Sequence, residues 1–553
     1  MNGAQHIIKT LETAGISTLF GYPGGAIMPV YDALVDSKLN HVLCRHEQGA
    51  ALAADGYARS TGKLGVCLAT SGPGATNLLT GIANAHLDSI PMLAITGQVA
   101  SPFIGTDAFQ EVDILGMALP VVKHSFQVRA ANELPWMLKE AMQIAMSGRP
   151  GPVLIDVPKD IQLAEIPSLV GFPTADYSLP TAGPGTIEEA NLLIKQAKRP
   201  LLYSGGGVML GGAVNALRKY AQQSGIPSVS TLKGIGNHLP DDPYYLGMLG
   251  MHGTKAANLA VQQCDLLICI GARFDDRVTG KLDSFAAKAK IIHLDIDAAE
   301  FGKLKIPDVI IHGELNYSLS QLTNPAAIGN WQQYCTTLKH QHAFTYPSNP
   351  PSIYAPQLIN RLSQLATEKT IISCDVGQHQ MWVAQHYQFT HPRHHLSSSG
   401  LGTMGYGLPA AIGAQFANPD AQVINISGDG SFMMNIQELA TIIRYQLPIK
   451  IIIIDNQRLG MVRQWQTLFF TERYSEVDLS DNPDFVKVAQ AFGLTAQCIT
   501  QAEDVESALQ TLLKATTPFL LHVCINPKDN VWPLVPPGVP NDEMLECTKN
   551  ELL

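Results

Sequence analysis

The chain has 553 residues, of which 46% are apolar and 15% charged, and a formal net charge of −10. That length exceeds a single hydrophobic core and calls for two to four domains. The acidic balance gives nucleic acid or an acidic membrane surface no footing as a partner, and the low charge content fits a well-buried α/β protein.

Met1 to Leu11 places Ala4, Ile7, Ile8 and Leu11 at amphipathic-helix spacing and lacks the basic start and apolar core of a secretion signal. Glu47 opens an alanine-rich helix, where an acid in the first turn is favoured by the helix dipole. Leu64 to Leu87 is uncharged and long enough to span a bilayer. Its Ser71-Gly72-Pro73-Gly74 interruption makes it strand, loop and helix instead. Strand-like and helical runs alternate almost throughout, which predicts doubly wound parallel sheets. The first block closes on a strand over Pro152 to Val157, and a Pro/Gly/Thr-rich stretch from Ile166 to Gly185 reads as a linker.

The second block carries strands at Pro200–Tyr203, Leu266–Ile270 and Ile291–Leu294, with Gly205-Gly206-Gly207 and Gly271 at strand ends. Glycines there admit a pyrophosphate to backbone N–H groups, and Asp275, Asp295 and Asp297 suit ribose hydroxyls. Equally, such glycines often only turn the chain. A Pro-rich passage, Tyr346 to Pro356, leads into the third block. There the glycine-rich turn Gly428-Asp429-Gly430-Ser431 is followed by a helical stretch, Asn435 to Tyr445, and an apolar strand ending in Asp455-Asn456. One βαβ unit thereby brings two oxygen ligands to the carboxyl edge of a sheet, a donor set suited to Mg²⁺ holding a diphosphate. The long uncharged glycine-rich segment leading into a small-residue helix occurs twice, Ser71 to His86 and Ser397 to Ala417, which suggests two related sheets flanking a different middle one. Gly400-Leu-Gly402-Thr-Met-Gly405 fits G-x-G-x-x-G, but Leu396 to Ser399 is a poor preceding strand and no helix follows directly, so a nicotinamide site is discounted. His394-His395 reads as a surface loop, and the tail from Val531, rich in proline, as an irregular cover. Nine cysteines, odd in number and without a CxxC pair, read as reduced core residues of a cytoplasmic protein.

The metal unit resembles the diphosphate anchor of thiamine-diphosphate enzymes, which usually closes on Asn-Asn; Asp455 departs from it. Gly21-Tyr-Pro-Gly-Gly-Ala26, Arg45-His-Glu-Gln-Gly-Ala50, Thr70-Ser-Gly-Pro-Gly-Ala-Thr-Asn77, Gly105-Thr-Asp-Ala-Phe-Gln-Glu111, Asp375-Val-Gly-Gln-His379, Gly402-Thr-Met-Gly405 and Gly460-Met-Val-Arg-Gln-Trp465 follow in order. Over the whole chain these motifs resemble the large, catalytic subunits of the acetolactate synthases within that family. The resemblance implies three doubly wound α/β domains: pyrimidine-binding (1–165), central FAD-binding (187–330) and diphosphate-binding (355–530), with a tail at 531–553.

It further implies Mg²⁺ on Asp429, Asn456 and the carbonyl of Arg458. Thiamine diphosphate would lie among Tyr22, Glu47, Pro73, Asn77, Gln378, His379, Gly402, Met404, Gly428, Asp429, Gly430, Ser431, Asn456 and Met461. Glu47 would act on the aminopyrimidine of a cofactor anchored by a partner chain, so a homodimer or homotetramer is implied; the small side chains of its helix would let the second subunit approach closely. Met461 would wedge the cofactor, although alone it reads as core filling. FAD would face Arg149, Gly205, Gly206, Gly207, Thr231, Leu232, Met251, His252, Gly271, Ala272, Arg273, Asp275, Arg277, Val278, Asp295, Ile296, Gly313 and Glu314. Gln110 would hydrogen-bond the reacting groups, Phe109 and Trp465 would shape the acceptor pocket, and Lys159 and Arg277 would line its channel. Without the resemblance these four read as a packing Phe, a core aromatic and two solvated charges. The region Ala108 to Glu111 lacks the tandem histidines of pyruvate decarboxylases, and Ala100 stands where many relatives carry proline.

The implied activity is condensation of two pyruvates, or of pyruvate with 2-oxobutyrate, with loss of CO₂, in branched-chain amino-acid biosynthesis. A small regulatory subunit is the implied partner, with no nucleic acid and no membrane. A flavin oxidoreductase of the pyruvate oxidase kind is the alternative on the same three domains.

Overall fold

The computed structural model describes residues 1–167, 176–348 and 350–547. Residues 168–175 of the expected linker at 166–185, one position of the Pro-rich passage and the last residues of the tail lie outside the described residues. Three six-stranded sheets follow one another along the chain. The first comprises β1 (Thr18–Gly21), β2 (Asn40–Leu43), β3 (Gly65–Ala69), β4 (Met92–Gln98), β5 (His124–Gln127) and β6 (Pro152–Pro158), ordered β2-β1-β3-β4-β6-β5. The second holds β7 (Pro200–Ser204), β8 (Ser228–Ser230), β9 (Tyr245–Met248), β10 (Leu266–Ile270), β11 (Lys290–Asp295) and β12 (Val309–His312), ordered β12-β11-β10-β7-β8-β9. The third holds β13 (Ile371–Cys374), β14 (His395–Ser397), β15 (Val423–Gly428), β16 (Lys450–Asp455), β17 (Thr495–Ile499) and β18 (Phe519–Cys524), ordered β14-β13-β15-β16-β18-β17. Neighbouring strands run parallel. Helices cover both faces, so central strands such as Leu266–Ile270 and Lys450–Asp455 are buried at every position, the first an unbroken apolar run and the second four isoleucines between a lysine and an aspartate, rather than alternating.

The first and third sheets share one strand order, as the twice-used segment pattern suggested. The second differs: read from β9, its strands rank 3-2-1-4-5-6 along the chain, the dinucleotide-binding order, and the order reverses between β7 and β10.

The Glu47–Thr61 helix packs on the Gly407–Ala417 helix of the third block, and the alanines of both belong to one continuous core. A Cβ at Gly413 would fall on the Ala53 carbonyl, and one at Gly56 on the Ala410 carbonyl. The small residues therefore serve an approach within the chain. Beside this crossing Arg59 pairs with Asp55, contacts Asp88 at 2.8 Å and lies over the Tyr406 ring. Lys233 of the second block stands 3.7 Å from the same Asp88 carboxylate. Burial works against that charge, but Lys233, Arg59 and the Ser399 N–H outweigh it and bring Asp88 down to about 2. All three blocks meet in one buried ion cluster.

Three local expectations need correction. His394-His395 is no surface loop: His395 starts β14 and stacks on Phe389, and burial pushes its imidazole down to about 3. Leu396 and Ser397 do form strand, paired with β13, although only three residues long. Among the cysteines six are buried, but Cys498 is exposed and Cys524 and Cys547 are partly so. Edge strand β17 carries the first of these, and an edge leaves one flank of its side chains to solvent.

Candidate active site

The third sheet reverses between β13 and β15, and their carboxyl ends carry the expected anchor. Gly428 closes β15 and Asp429 opens a short helix, Asp429–Met433, so the acid sits at a helix start rather than in a free turn. The Gly428 N–H is donated to His379 Nε2 and to Ser431 Oγ, each at 3.1 Å. Burial pushes His379 down to about 3, so its ring is neutral and Nε2 is the acceptor. Register pairs Gly428 with Ile454, which sets Asp429 beside Asp455. Burial first, then the Asp455 carboxylate, push Asp429 far above the usual carboxylate range. Asn482 Nδ2 steadies Asp429 at 3.0 Å.

Asn456 gives its Nδ2 to Gln378 Oε1 at 3.0 Å and accepts the Arg458 N–H at Oδ1. Gln378 is itself held by Gln464 and the Asp529 carbonyl. The Arg458 main chain is pinned by a bridge to Asp478 and the Arg458 guanidinium by its carboxylate at 2.6 Å. Gly460 belongs to this cluster: a Cβ there would collide with Gln378 Oε1 and Asn456 Nδ2. Met404 reaches over Gly430. The Asp429 carboxylate, the Asn456 amide oxygen and the Arg458 main-chain carbonyl are hard donors, with the negative Asp455 carboxylate behind them, and they fit Mg²⁺ shared with a diphosphate.

The other half of the expected site stands on the first sheet, which reverses between β1 and β3. Glu47 is the first residue of its helix, capped by His46 Nδ1, and Asn77 Nδ2 donates to Glu47 Oε2 at 3.0 Å. Tyr22 follows β1 and is partly exposed, and Pro73 begins the helix that carries Asn77. Gln110 lies at φ +60 with its backbone against Gly72, where a Cβ would sit 2.8 Å from the Gln110 carbonyl oxygen. Its loop is folded around Glu111, which accepts N–H groups from Gly105, Thr106 and Ala108. Phe109 is 88% exposed and Lys159 is exposed at the start of the Lys159–Leu163 helix.

Every residue expected to face the flavin lines a single cavity of about 1010 Å³, at the reversal between β7 and β10. That volume is at the top of the range for ligand pockets and suits a dinucleotide. Gly205 and Gly207 have a partly different reason for being glycine: their backbones press on Gly271, which has φ +52, and a Cβ on any of the three would overlap the others' main chain. Arg149 Nη1 holds Asp297 at 3.0 Å and Glu300 at 2.7 Å. Burial raises Asp295 to about 6. Arg277 lies 5.9 Å from the Trp465 ring centre and near Met251 Sδ. Met461, Trp465 and Gly402 line the same cavity, so the flavin and thiamine groupings share a wall.

Within one chain, among the described residues, no hydrogen bond or ion pair joins Glu47, Asn77 or Gln110 to Asp429, Asn456 or Gln378. Phe109 and Lys159 likewise do not line the cavity that holds Arg277 and Trp465. Sequence reasoning missed Asn482, Gln464, Lys233 and Glu438. The last accepts the Arg45 and His46 N–H groups at 2.9 and 3.1 Å and so sets the entry to Glu47 from the third block. Gln464 lies inside the Gly460 to Trp465 motif, but its contact with Gln378 comes from the fold, and Asn482, Lys233 and Glu438 lie in no quoted motif.

A dinucleotide-type sheet between two sheets of one shared order, one ending in a metal-suited cluster and the other in a helix-start glutamate, defines a class of protein. Three family models match it: the thiamine pyrophosphate enzyme N-terminal TPP binding domain at residues 1–117, the central domain at 187–322 and the C-terminal TPP binding domain at 375–523. The chain is 58% identical over 546 residues, 99% of its own length and 100% of the relative's, to the acetolactate synthase isozyme 2 large subunit of Escherichia coli (strain K12). It is 49% identical to the acetolactate synthase large subunit of Pyropia yezoensis, covering 99% and 96% of the two chains. It is 48% identical to the probable acetolactate synthase large subunit of Methanocaldococcus jannaschii, covering 97% and 94%. The chain belongs to the acetolactate synthase large subunits of the thiamine pyrophosphate enzyme family.

Proposed function

We propose that the chain is the catalytic subunit of an acetolactate synthase. It joins two pyruvates to 2-acetolactate with release of CO₂, and pyruvate with 2-oxobutyrate to 2-aceto-2-hydroxybutyrate, in valine, leucine and isoleucine synthesis. The observation that carries this reading is full-length similarity to such subunits together with a metal-suited strand end in the third sheet. The relatives do not favour the oxidoreductase alternative. When bound, thiamine diphosphate supplies the carbon centre at which a 2-oxo acid sheds CO₂ and from which two carbons pass to an acceptor carbonyl. Asp429, Asn456 and the Arg458 carbonyl would hold Mg²⁺ and with it the diphosphate, with Gln378, His379, Gly402, Met404, Ser431 and Met461 around them. The cavity at Arg149, Gly206, Asp275 and Asp295 would hold FAD.

Glu47 has one carboxylate oxygen committed to Asn77, so Oε1 remains to hold and return a proton at the aminopyrimidine nitrogen. Gln110, fixed by the Glu111-centred loop, offers its amide to the 2-oxo acid. Trp465 and Phe109 exclude water from the acceptor, and Lys159 and Arg277 draw in its carboxylate. The lack of any hydrogen bond or ion pair between the first-sheet group and the third-sheet group within one chain, among the described residues, supports an active unit that is a homodimer or homotetramer whose sites combine Glu47 of one copy with Asp429 of another. The relatives are named large subunits, which supports a small regulatory partner. No described helix is long and apolar enough to cross a membrane, in line with a cytoplasmic location. The domains take the bounds 1–165, 187–330 and 355–530.

Anaerobic assay with pyruvate and no electron acceptor should yield acetolactate. Replacing Glu47→Gln should lower turnover by ~10²-fold or more while flavin stays bound. Product appearing only when an acceptor is added would overturn the assignment, and near-normal turnover of the variant would remove Glu47 from its role.

A further inference from the structure

Among the described residues, one group of three cysteine, histidine or acidic side chains brings its donor atoms within 4.8 Å of one another: Cys498, His522 and Cys524. They lie at the edge of the third sheet and reach inward to Asp455, the neighbour of Asp429. His522 and Cys524 alternate onto one face of β18. The register of β17 sets Cys498 opposite His522, and that of β16 sets Asp455 opposite Cys524. Cys498 Sγ is 3.9 Å from Cys524 Sγ, and Cys524 Sγ is 3.7 Å from His522 Nε2. Asp455 Oδ2 lies 2.7 Å from the same Nε2.

Around a tetrahedral zinc-type ion, sulfur at ~2.3 Å and nitrogen at ~2.0 Å stand about 3.8 Å (S to S) and about 3.5 Å (S to N) apart. The observed separations are within a few tenths of an ångström of those edges. We propose that Cys498, Cys524 and His522 bind a borderline-soft divalent cation of the Zn²⁺ kind, with the Asp455 carboxylate as the fourth donor. The electrostatics point the same way. Burial, then Cys498, Asp455 and Asp429, push the Cys524 thiol up to about 12. A thiol held protonated is a poor partner for disulfide exchange, and the nearby Asp455 and Asp429 carboxylates attract a cation, which displaces the thiol protons on binding. Cys498 is exposed, so the ion has an entry from solvent. Binding opens the short Asp455–His522 hydrogen bond slightly and ties edge strand β17 to β18.

The test uses the full-length protein, reduced and kept anaerobic, with Co²⁺ as probe and Zn²⁺ as competitor. Co²⁺ should give thiolate-to-metal charge-transfer absorption and tetrahedral d–d bands that saturate at one ion per chain and vanish when Zn²⁺ is added. Cys498→Ser and Cys524→Ser should each lose the charge-transfer intensity, while Cys547→Ser keeps it. Zn²⁺ should raise the Tm of the wild type but not of Cys498→Ser, which lies on an exposed edge and folds without the metal. Absence of a thiolate band in the wild type, or its survival in the Cys498→Ser/Cys524→Ser double variant, would overturn the proposal.

Discussion

At the scale of single residues, the metal end of the site is built by neighbours as much as by ligands. Asn456 is oriented by Gln378, Gln378 by Gln464, and the whole group closes over Gly460, where even one carbon would strike two of its members. Gly460→Ala should therefore weaken Mg²⁺ and thiamine diphosphate binding by roughly 10- to 100-fold with little change in unfolding midpoint, as other losses of outer-shell support do. Calorimetric titration of Mg²⁺ in the presence of thiamine diphosphate reads this directly, and unchanged affinity would detach Gly460 from the site. Glu47 shows how local legibility runs out. Its place at a helix start was plain in the sequence, but a first-turn acid is common. The pinning of Arg45 and His46, the two residues before it, by Glu438, nearly four hundred positions later, could only appear once the third sheet had folded against the first.

At the scale of elements, the crossing of the Glu47–Thr61 and Gly407–Ala417 helices decides how the first and third sheets sit. Helix backbones approach this closely only where side chains are absent, and Gly56 and Gly413 are where they touch. Gly413→Ala should cost about 1–3 kcal/mol or more, since the obstacle is main chain and cannot rotate aside. A lower urea midpoint would register it, while full stability would show that the helices separate without cost. The alanine-rich pattern was visible in the sequence, but which partner it fits was not, because small residues admit any close neighbour.

At the scale of the whole molecule, the proposed site, which combines Glu47 of one copy with Asp429 of another, makes a sharp prediction. Glu47→Gln and Asp429→Asn chains are each inactive in this scheme, but a mixed dimer carries one site with both native residues. Co-expressed, the two should recover about a quarter of wild-type activity, since half the dimers are mixed and half their sites intact. A mixture as inactive as its parents would place each site inside one chain. Stability against acid is also a property of the assembled core. His238, His386 and His395 are pushed down to about 3 and His252 to about 4, in every case mainly by burial. Unfolded, these imidazoles take protons near the ordinary value of 6.5, so at these groups the unfolded state binds more protons below that pH and they withdraw stability as pH drops from about 6.5 toward 4. Asp156, Asp295, Asp375 and Asp529, each raised to about 6 mainly by burial, act with the opposite sign in that window, because there the folded state binds the extra protons. The histidine part is therefore read as a difference: the Tm advantage of the wild type over His395→Gln should shrink as pH drops from about 6.5 toward 4, and a difference independent of pH there would show that this ring is not held neutral.

The alternation of unbroken apolar runs with helical stretches, the glycines at strand ends and the Asp429 to Asn456 unit were determined by the sequence alone, because each depends on neighbours a few residues apart. Tertiary structure decided the rest: which strands stand side by side at each reversal, that one cavity gathers residues from all three blocks, that Asp429 meets Asp455, and that two scattered cysteines face one histidine. These are contacts between segments far apart along the chain, and their energies come from packing that no local pattern records.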